Sequence, residues 1–345
     1  MNKITKKLGL LFIVFSSFQS LAQLPSKIHI GLIYPLSSNG THAPLDTNNL
    51  SIHLLAGVSA AERGLTFAGF SNIILRNAVG SQFAGFSNHI RGMADGTQFA
   101  GFANIYGGGK GAAFAGFTNI ARGDVNGVQL AGFLNYANRI KGLQLAGFAN
   151  ISNQNVGKSQ IAGFINVAKK VKGVQIAGFI NIADSSDYPI GIINLIKNGE
   201  KSIGLTTDET QTTMLSFRSG GKSLYGIIGL GYNLKNVDEV YAAELGLGAH
   251  FFPSTAFSLN TELVAATLGS FKRGEYFKSS FRLMPNIKLF KTFGFFGGPS
   301  INFVTTNTDE GKSLYTKNLR NWNNIWGNNY NALYIGYTVG LHILF

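Results

Sequence analysis

The sequence predicts an all-β protein in two parts, a repetitive β-solenoid followed by an eight-stranded antiparallel β-barrel. Three observations carry that expectation. A hexapeptide returns every 15 or 16 residues in the first half of the chain, eight alternating segments follow residue 200, and the 345 residues include 44 Gly, 28 Phe and 12 Tyr. Such a composition, poor in helix formers, favours strands joined by tight turns. The organisation expected is a signal peptide at 1–22, N-terminal strands at 23–63, the repeat array at 64–200 and the barrel at 201–345.

The N-terminus reads as a secretory signal. Lys3, Lys6 and Lys7 precede the apolar stretch Leu8 to Phe15, and Ser20-Leu21-Ala22 forms a small-x-small cleavage site before Gln23. The apolar run is shorter than the roughly 20 residues a transmembrane helix needs. No Cys follows the cleavage site, and the whole chain has none, which removes a lipoprotein anchor, disulfides, thiolate metal sites and Cys nucleophiles. Net charge is +13, or +10 without the three signal lysines. For a secreted chain that balance suits anionic lipid or glycan surfaces. No arginine run or stacked aromatic patch of the nucleic-acid kind accompanies it, so nucleic acid is not an expected partner.

Residues 27–36 and 49–58 read as strands joined by the polar stretch Ser37–Asn48. The array follows. Its hexapeptides are FAGFSN at 67–72 and 83–88, FAGFAN at 99–104, FAGFTN at 114–119, LAGFLN at 130–135, LAGFAN at 145–150, and IAGFIN at 161–166 and 176–181. The central glycines are Gly69, Gly85, Gly101, Gly116, Gly132, Gly147, Gly163 and Gly178. A fixed short period gives each unit the same environment, one rung per repeat. A second glycine stands five residues before the central one at Gly64, Gly80, Gly96, Gly111, Gly127, Gly142 and Gly173, with Gly157 displaced by one. That placement suits corners needing positive φ. The run Gln82–Asn88 and its counterparts are expected as strands. Stacked rungs then align Phe70, Phe86, Phe102, Phe117, Phe133, Phe148, Phe164 and Phe179 in an aromatic row. They align Asn72, Asn88, Asn104, Asn119, Asn135, Asn150, Asn166 and Asn181 in an amide ladder. Degraded copies at Leu55–Ser59 and Ile190–Asn194 suit terminal units. The alternative is a meander in which each repeat is one strand of a single large transmembrane barrel.

Candidate strands after the array are 202–206, 211–218, 222–234, 240–251, 255–267, 276–289, 292–304 and 333–345. In 240–251, Tyr241, Ala243, Leu245, Leu247, Ala249 and Phe251 share one face, opposite Glu244, Gly246, Gly248 and His250. In 276–289, Phe277, Phe281, Leu283, Ile287 and Leu289 oppose Lys278, Ser280, Arg282, Asn286 and Lys288. Apolar-out, polar-in alternation over such lengths fits a closed membrane barrel, and a β-sandwich is the alternative. Arg218-Ser219-Gly220-Gly221 is expected as a tight turn. The polar stretch 305–332, with Trp322 and Trp326, is expected as an extracellular loop. The final strand, Leu333 to Phe345, resembles the closing strand of bacterial outer-membrane barrels.

The AGFxN repeat resembles a surface-repeat family of leptospiral lipoproteins and Bacteroidetes. Ile33–Gly40, His53–Gly57, Gly199–Gly204, Asp208–Thr213 and Leu224–Gly229 resemble members from that phylum. The resemblance spans nearly the whole chain after the signal. It implies a surface or outer-membrane location and no activity, and without the lipoprotein Cys it does not carry lipid anchoring over.

A search for chemistry finds scaffold instead. The histidines at 29, 42, 53, 89, 250 and 342 lack metal-ligand spacing, although His29 and His53 fall on strands that could pair. Gly107–Gly111 lacks the GK[ST] ending of a phosphate loop. His250, Ser258, Glu244 and Glu262 could approach one another as in outer-membrane lipid hydrolases, but Lys278, Arg282 and Lys288 would neutralise the two glutamates. Asp208-Glu209 and Asp309-Glu310 read as solvated turn charges rather than calcium ligands. No catalytic residue, cofactor or metal site is expected. The function expected is an outer-membrane or cell-surface structural and binding protein of a Gram-negative bacterium. Its array serves as scaffold, and its partners are outer-membrane lipid and a surface glycan or protein. The alternatives are a porin-like channel and, third, a lipid-modifying enzyme.

Overall fold

A computed structural model describes residues 28–252, 256–270, 275–289, 292–323 and 329–345. The expected signal peptide and Trp326 lie outside them. The chain is a parallel β-solenoid of about ten turns followed by a closed eight-stranded antiparallel barrel. It divides into two compact units, one ending at Ala162 and the other beginning at Gly163.

In the first unit, Ile28–Ile33 lies parallel to Thr47–Ser59 with Gly31 opposite His53, and the chain doubles back through Leu36–Ser37. A 3-10 helix, Gly40–Leu45, contributes the fully buried Ala43. Each later rung then repeats the one before it in register. Phe67 faces Phe83, which faces Phe99 and then Phe114, while Asn72, Asn88, Asn104 and Asn119 stand in line. Neighbours in a meander barrel would be antiparallel. These are parallel.

The hexapeptide is not one strand. Ala78–Ala84 ends before Gly85-Phe86, and a new strand starts at Ser87. Ala84 and Ser87 are both buried while Gly85 and Phe86 are exposed. A strictly alternating strand would bury residues 84 and 86. The two-residue corner instead turns the chain around the inside of the rung. The glycine is needed there because a Cβ on Gly85 would strike the carbonyl oxygen of Gly69, and one on Gly101 that of Gly85. The expectation of positive φ five residues earlier holds at Gly80, Gly96 and Gly111. It does not hold at Gly64, Gly127 or Gly142. At Gly127 and Gly142 the constraint is again close approach to the carbonyl of the preceding rung.

Inside the rungs the fill is small and amide-bearing. Asn72, Asn88, Asn104, Asn119 and Asn135 each donate from Nδ2 to Oδ1 of the asparagine one rung on, at 2.8–2.9 Å. A second ladder runs from Gln160 to Gln144 to Gln129 at 2.8 Å per step. The strand spacing of about 4.8 Å matches what one amide can bridge to the next. Outside, Phe102, Phe117, Phe133 and Phe148 stack in parallel with centroids 4.8 Å apart.

The second unit opens with three rungs, Ile165–Ala177, Ile180–Ile190 and Ile193–Ile196. Their asparagines continue the ladder from Asn166 to Asn181 to Asn194. The barrel strands are β1 (Lys201–Asp208), β2 (Thr212–Gly220), β3 (Leu224–Asn233), β4 (Tyr241–Phe251), β5 (Phe257–Gly269), β6 (Tyr276–Lys288), β7 (Phe293–Thr306) and β8 (Tyr330–Leu344). Each pairs antiparallel with the next, and β1 pairs with β8, so the sheet closes. Closure rules out the β-sandwich alternative.

The stretch 305–332 is more than a loop. It holds a short helix, α1 (Asp309–Ser313), and a four-residue strand, Arg320–Asn323, laid on β8. Leu314 and Tyr315 pack with Met214, Tyr276, Val304 and Tyr334, which closes one end of the lumen with apolar side chains.

Candidate functional site

Among the described residues, the barrel lumen gathers several buried ionisable groups. Alternation aims Asp208, Arg218, Glu244, Glu262, Lys278 and Arg282 inward, and all are buried. They pair with one another. Arg218 Nε meets Glu262 Oε1 at 2.8 Å, Arg282 Nη2 meets Glu244 Oε2 at 3.0 Å, and Arg282 Nη1 lies 3.6 Å from Glu262 Oε2. Tyr225 donates its hydroxyl to Glu262 at 2.9 Å. Lys278 pairs with Asp208 and sits 3.8 Å from Glu209. Around these charges, Met284 and Phe296 fill the bore, with the Arg218 guanidinium 5.0 Å from the Phe296 ring centre. Eight strands enclose an interior that side chains can just fill.

Several sequence expectations meet this network. Glu244 and Glu262 do share the lumen with Arg282, but Lys278 turns to Asp208, and Lys288 pairs with Glu200 at 2.6 Å. Arg218, expected where the strand 211–218 meets a tight turn, lies inside β2 and holds Glu262. Asp208 and Glu209 are not solvated. Asp208 Oδ1 accepts from Thr210 and Thr212. Glu209 accepts from the Tyr334 hydroxyl and the Tyr337 N–H, both at 2.9 Å. Glu310 accepts the N–H groups of Val237, Asp238 and Glu239, which tie the β3–β4 turn to α1 and hold its carboxyl below the usual range.

The hydrolase constellation does not assemble. His250 Nδ1 lies 2.8 Å from Asn260 Oδ1, and Ser258 bonds to Asn260 at 3.2 Å and Asn286 at 3.1 Å. Both glutamates are taken by arginines. Gly107–Gly111 is part of the strand Ala103–Ala115, with the Lys110 N–H donating to Asp95, rather than a phosphate loop. Among the described residues, no group of three His, Asp or Glu side chains is placed to hold a metal ion.

A second polar cluster lies in the first rungs. His29 and His53, on the paired strands expected of them, meet edge to face with His53 Nε2 3.3 Å from His29 Nδ1. His29 also contacts Ser37 at 2.9 Å. Burial lowers both from 6.5 to about 4, and His29 adds to the effect on His53. Beneath them Glu62 accepts from Ser51 and Asn48, and burial raises its pKa.

These shifts oppose each other. The unfolded chain binds more protons than the folded one at the histidines between pH 6.5 and 4, so their contribution is intact above 6.5 and is lost on acidification. The slope is up to about 1.4 kcal/mol per pH unit for each histidine. Glu62 binds its proton more tightly when folded, so its contribution is present at low pH and lost as pH rises through its raised value. The urea midpoint of the array should therefore fall from pH 7 to 4.5, and His29→Gln/His53→Gln should flatten that fall. An equal fall in the double variant would remove the histidines as its cause.

No family model matches the chain, and no curated protein or solved structure matches it.

Proposed function

We propose that this protein is an outer-membrane or cell-surface structural and binding protein, with the barrel as membrane anchor and the solenoid as scaffold. The observation that carries this reading is the inverted polarity of the barrel. Its outward face is Ile, Leu, Phe and Tyr, with Leu230 71% and Leu263 63% exposed, while its charges are paired inside. In water such a wall would be an aggregation surface far beyond the patches soluble monomers carry. In hydrocarbon it is the expected arrangement, since closure leaves no edge strand unpaired. The basic balance of the chain and its resemblance to surface-repeat proteins favour the same location.

The filled lumen argues for an anchor rather than a porin-like channel, and Ser258 gives its hydroxyl proton to Asn260 rather than to His250, which argues against its activation for lipid hydrolysis. The test is reconstitution of the full chain into phospholipid vesicles. The barrel should migrate faster on a gel before heating than after, and planar bilayers should record no open conductance. Heat-independent migration with the protein left in the aqueous phase would sink the membrane reading, and steady conductance would restore the channel.

A further inference from the structure

The first unit leaves cations on its surface without partners. Residues 28–162 carry eight Lys and Arg against four Asp and Glu. All four acids are occupied. Asp46 accepts from Asn39, and Glu62 accepts from Ser51 and Asn48. Asp95 accepts the Lys110 N–H, and Asp124 pairs with Arg139 at 3.5 Å. Among the described residues, neither Arg91 nor Arg122 has a carboxylate within ion-pair distance or a side-chain hydrogen bond.

Register brings these two arginines together. Ile90, Tyr106 and Ala121 are aligned on three successive parallel rungs. The residues that follow them, Arg91, Gly107 and Arg122, therefore share one row. At about 4.8 Å per strand the two arginine backbones stand about 9.6 Å apart, close enough for both side chains to reach one group between them. The rung between them carries no side chain. A Cβ on Gly107 would strike the Gly92 carbonyl oxygen, so the backbone itself keeps the gap open. His89 lies two residues before Arg91 and so on the same face of its strand. Burial lowers its pKa, and the Arg122 charge lowers it further, which puts all three side chains in one electrostatic neighbourhood.

His89, Arg91 and Arg122 line a single pocket of about 260 Å³ with Ile73, Leu75 and Ile105. Sites that enclose a drug-sized ligand run to roughly 300–1,000 Å³, so this one takes a terminal group and not a whole molecule. A carboxylate or a phosphodiester offers two free oxygens and one charge, which a single guanidinium fork satisfies. A phosphate monoester offers three oxygens and about −1.5 to −2 charges, enough for two forks. We propose that the pocket between Arg91 and Arg122 binds a phosphate monoester. Both guanidiniums hold its oxygens over the Gly107 gap, and the ester stem lies on Ile73 and Ile105. The site gives the binding role proposed above a ligand class, with a lipid head group or a phosphorylated sugar as its source. It lies wholly within the first unit and does not depend on the barrel spanning a membrane.

The full chain in a non-ionic detergent is titrated with hexyl phosphate and with glycerol 3-phosphate, and binding is read by calorimetry. The esters should bind once per chain. Arg91→Gln/Arg122→Gln should weaken binding by about tenfold or more, as expected when hydrogen bonds to a charged group are removed. Lys141→Gln/Lys158→Gln takes away the same charge outside the pocket and should change affinity by less than about twofold, since salt screens distant charges. All four side chains are exposed, so both double variants should keep the parent's urea midpoint. Tighter binding of hexyl phosphate would assign the stem to a lipid, and equal or tighter binding of glycerol 3-phosphate to a polar, water-soluble ester. Failure of both esters to bind the parent chain would overturn the proposal. Equal weakening by the two double variants would do the same, because it would reduce the effect to net charge. Neither result bears on gel migration or conductance, so the anchor reading would survive it.

Discussion

Arg282→Met should destabilise the barrel in vesicles by about 3–5 kcal/mol, read as a lower urea midpoint, because it strands Glu244 in the lumen and removes one of two arginines from Glu262. The Coulomb attraction of a buried pair is partly offset by the desolvation of both ions. Loss of one partner keeps the desolvation and forfeits the attraction. Arg282→Met/Glu244→Leu should therefore recover much of the loss, since apolar groups of similar size can replace a buried pair at little net cost. A loss of under about 1 kcal/mol for Arg282→Met would mean that the lumen is wet enough to screen its charges. The anchor would then have a passage through it.

Asn119→Leu should be nearly as damaging in the solenoid. The side chain donates to Ala113 O, Leu130 O and Asn135 Oδ1 and accepts from Asn104. Leucine of similar bulk leaves groups on both neighbouring rungs without partners, at about 1–3 kcal/mol for each one that finds no substitute. Because a repeat stack is held by contacts between nearest neighbours, the loss should split the array's unfolding near that rung rather than lower its whole midpoint evenly. Asn126→Ala, at an exposed position, should stay within about 0.5 kcal/mol of the parent. Circular dichroism during urea unfolding checks both variants. Equal behaviour of Asn119→Leu and Asn126→Ala would show that the amide ladder contributes nothing to stability.

The parallel stack was legible because identical residues at a fixed period can align only when rungs run the same way. The barrel was legible because charges at every second position within apolar segments have one sheltered side to face. The corner at Gly85-Phe86 was not, since Gln82–Asn88 suits an unbroken strand by residue type. Only the need to turn around a closed interior decides where it bends. Pairings across the lumen were hidden for a related reason. Lys278 finds Asp208 at a sequence separation of 70, through a stagger set by closure and not by local pattern. The pattern ends a strand at Arg218 and starts a turn there, because Gly220 and Gly221 mask the two further residues by which β2 runs on. The lowered pKa values of His29 and His53 depend on burial, which pairing of strands does not reveal.

In-register parallel stacking is also the growth mode of fibrils, where the last rung templates the next molecule. Here both ends are stopped. At the start, Ile30 donates its N–H to the Ser38 hydroxyl and accepts the Ser38 N–H, so that strand offers its exposed edge to the chain's own hairpin. At the finish, the Asn194 N–H and side chain are both bonded to Ser219 of the barrel. The stack of rungs is thereby capped by the chain itself at each end. Chains that lost either stop would be the ones to polymerise.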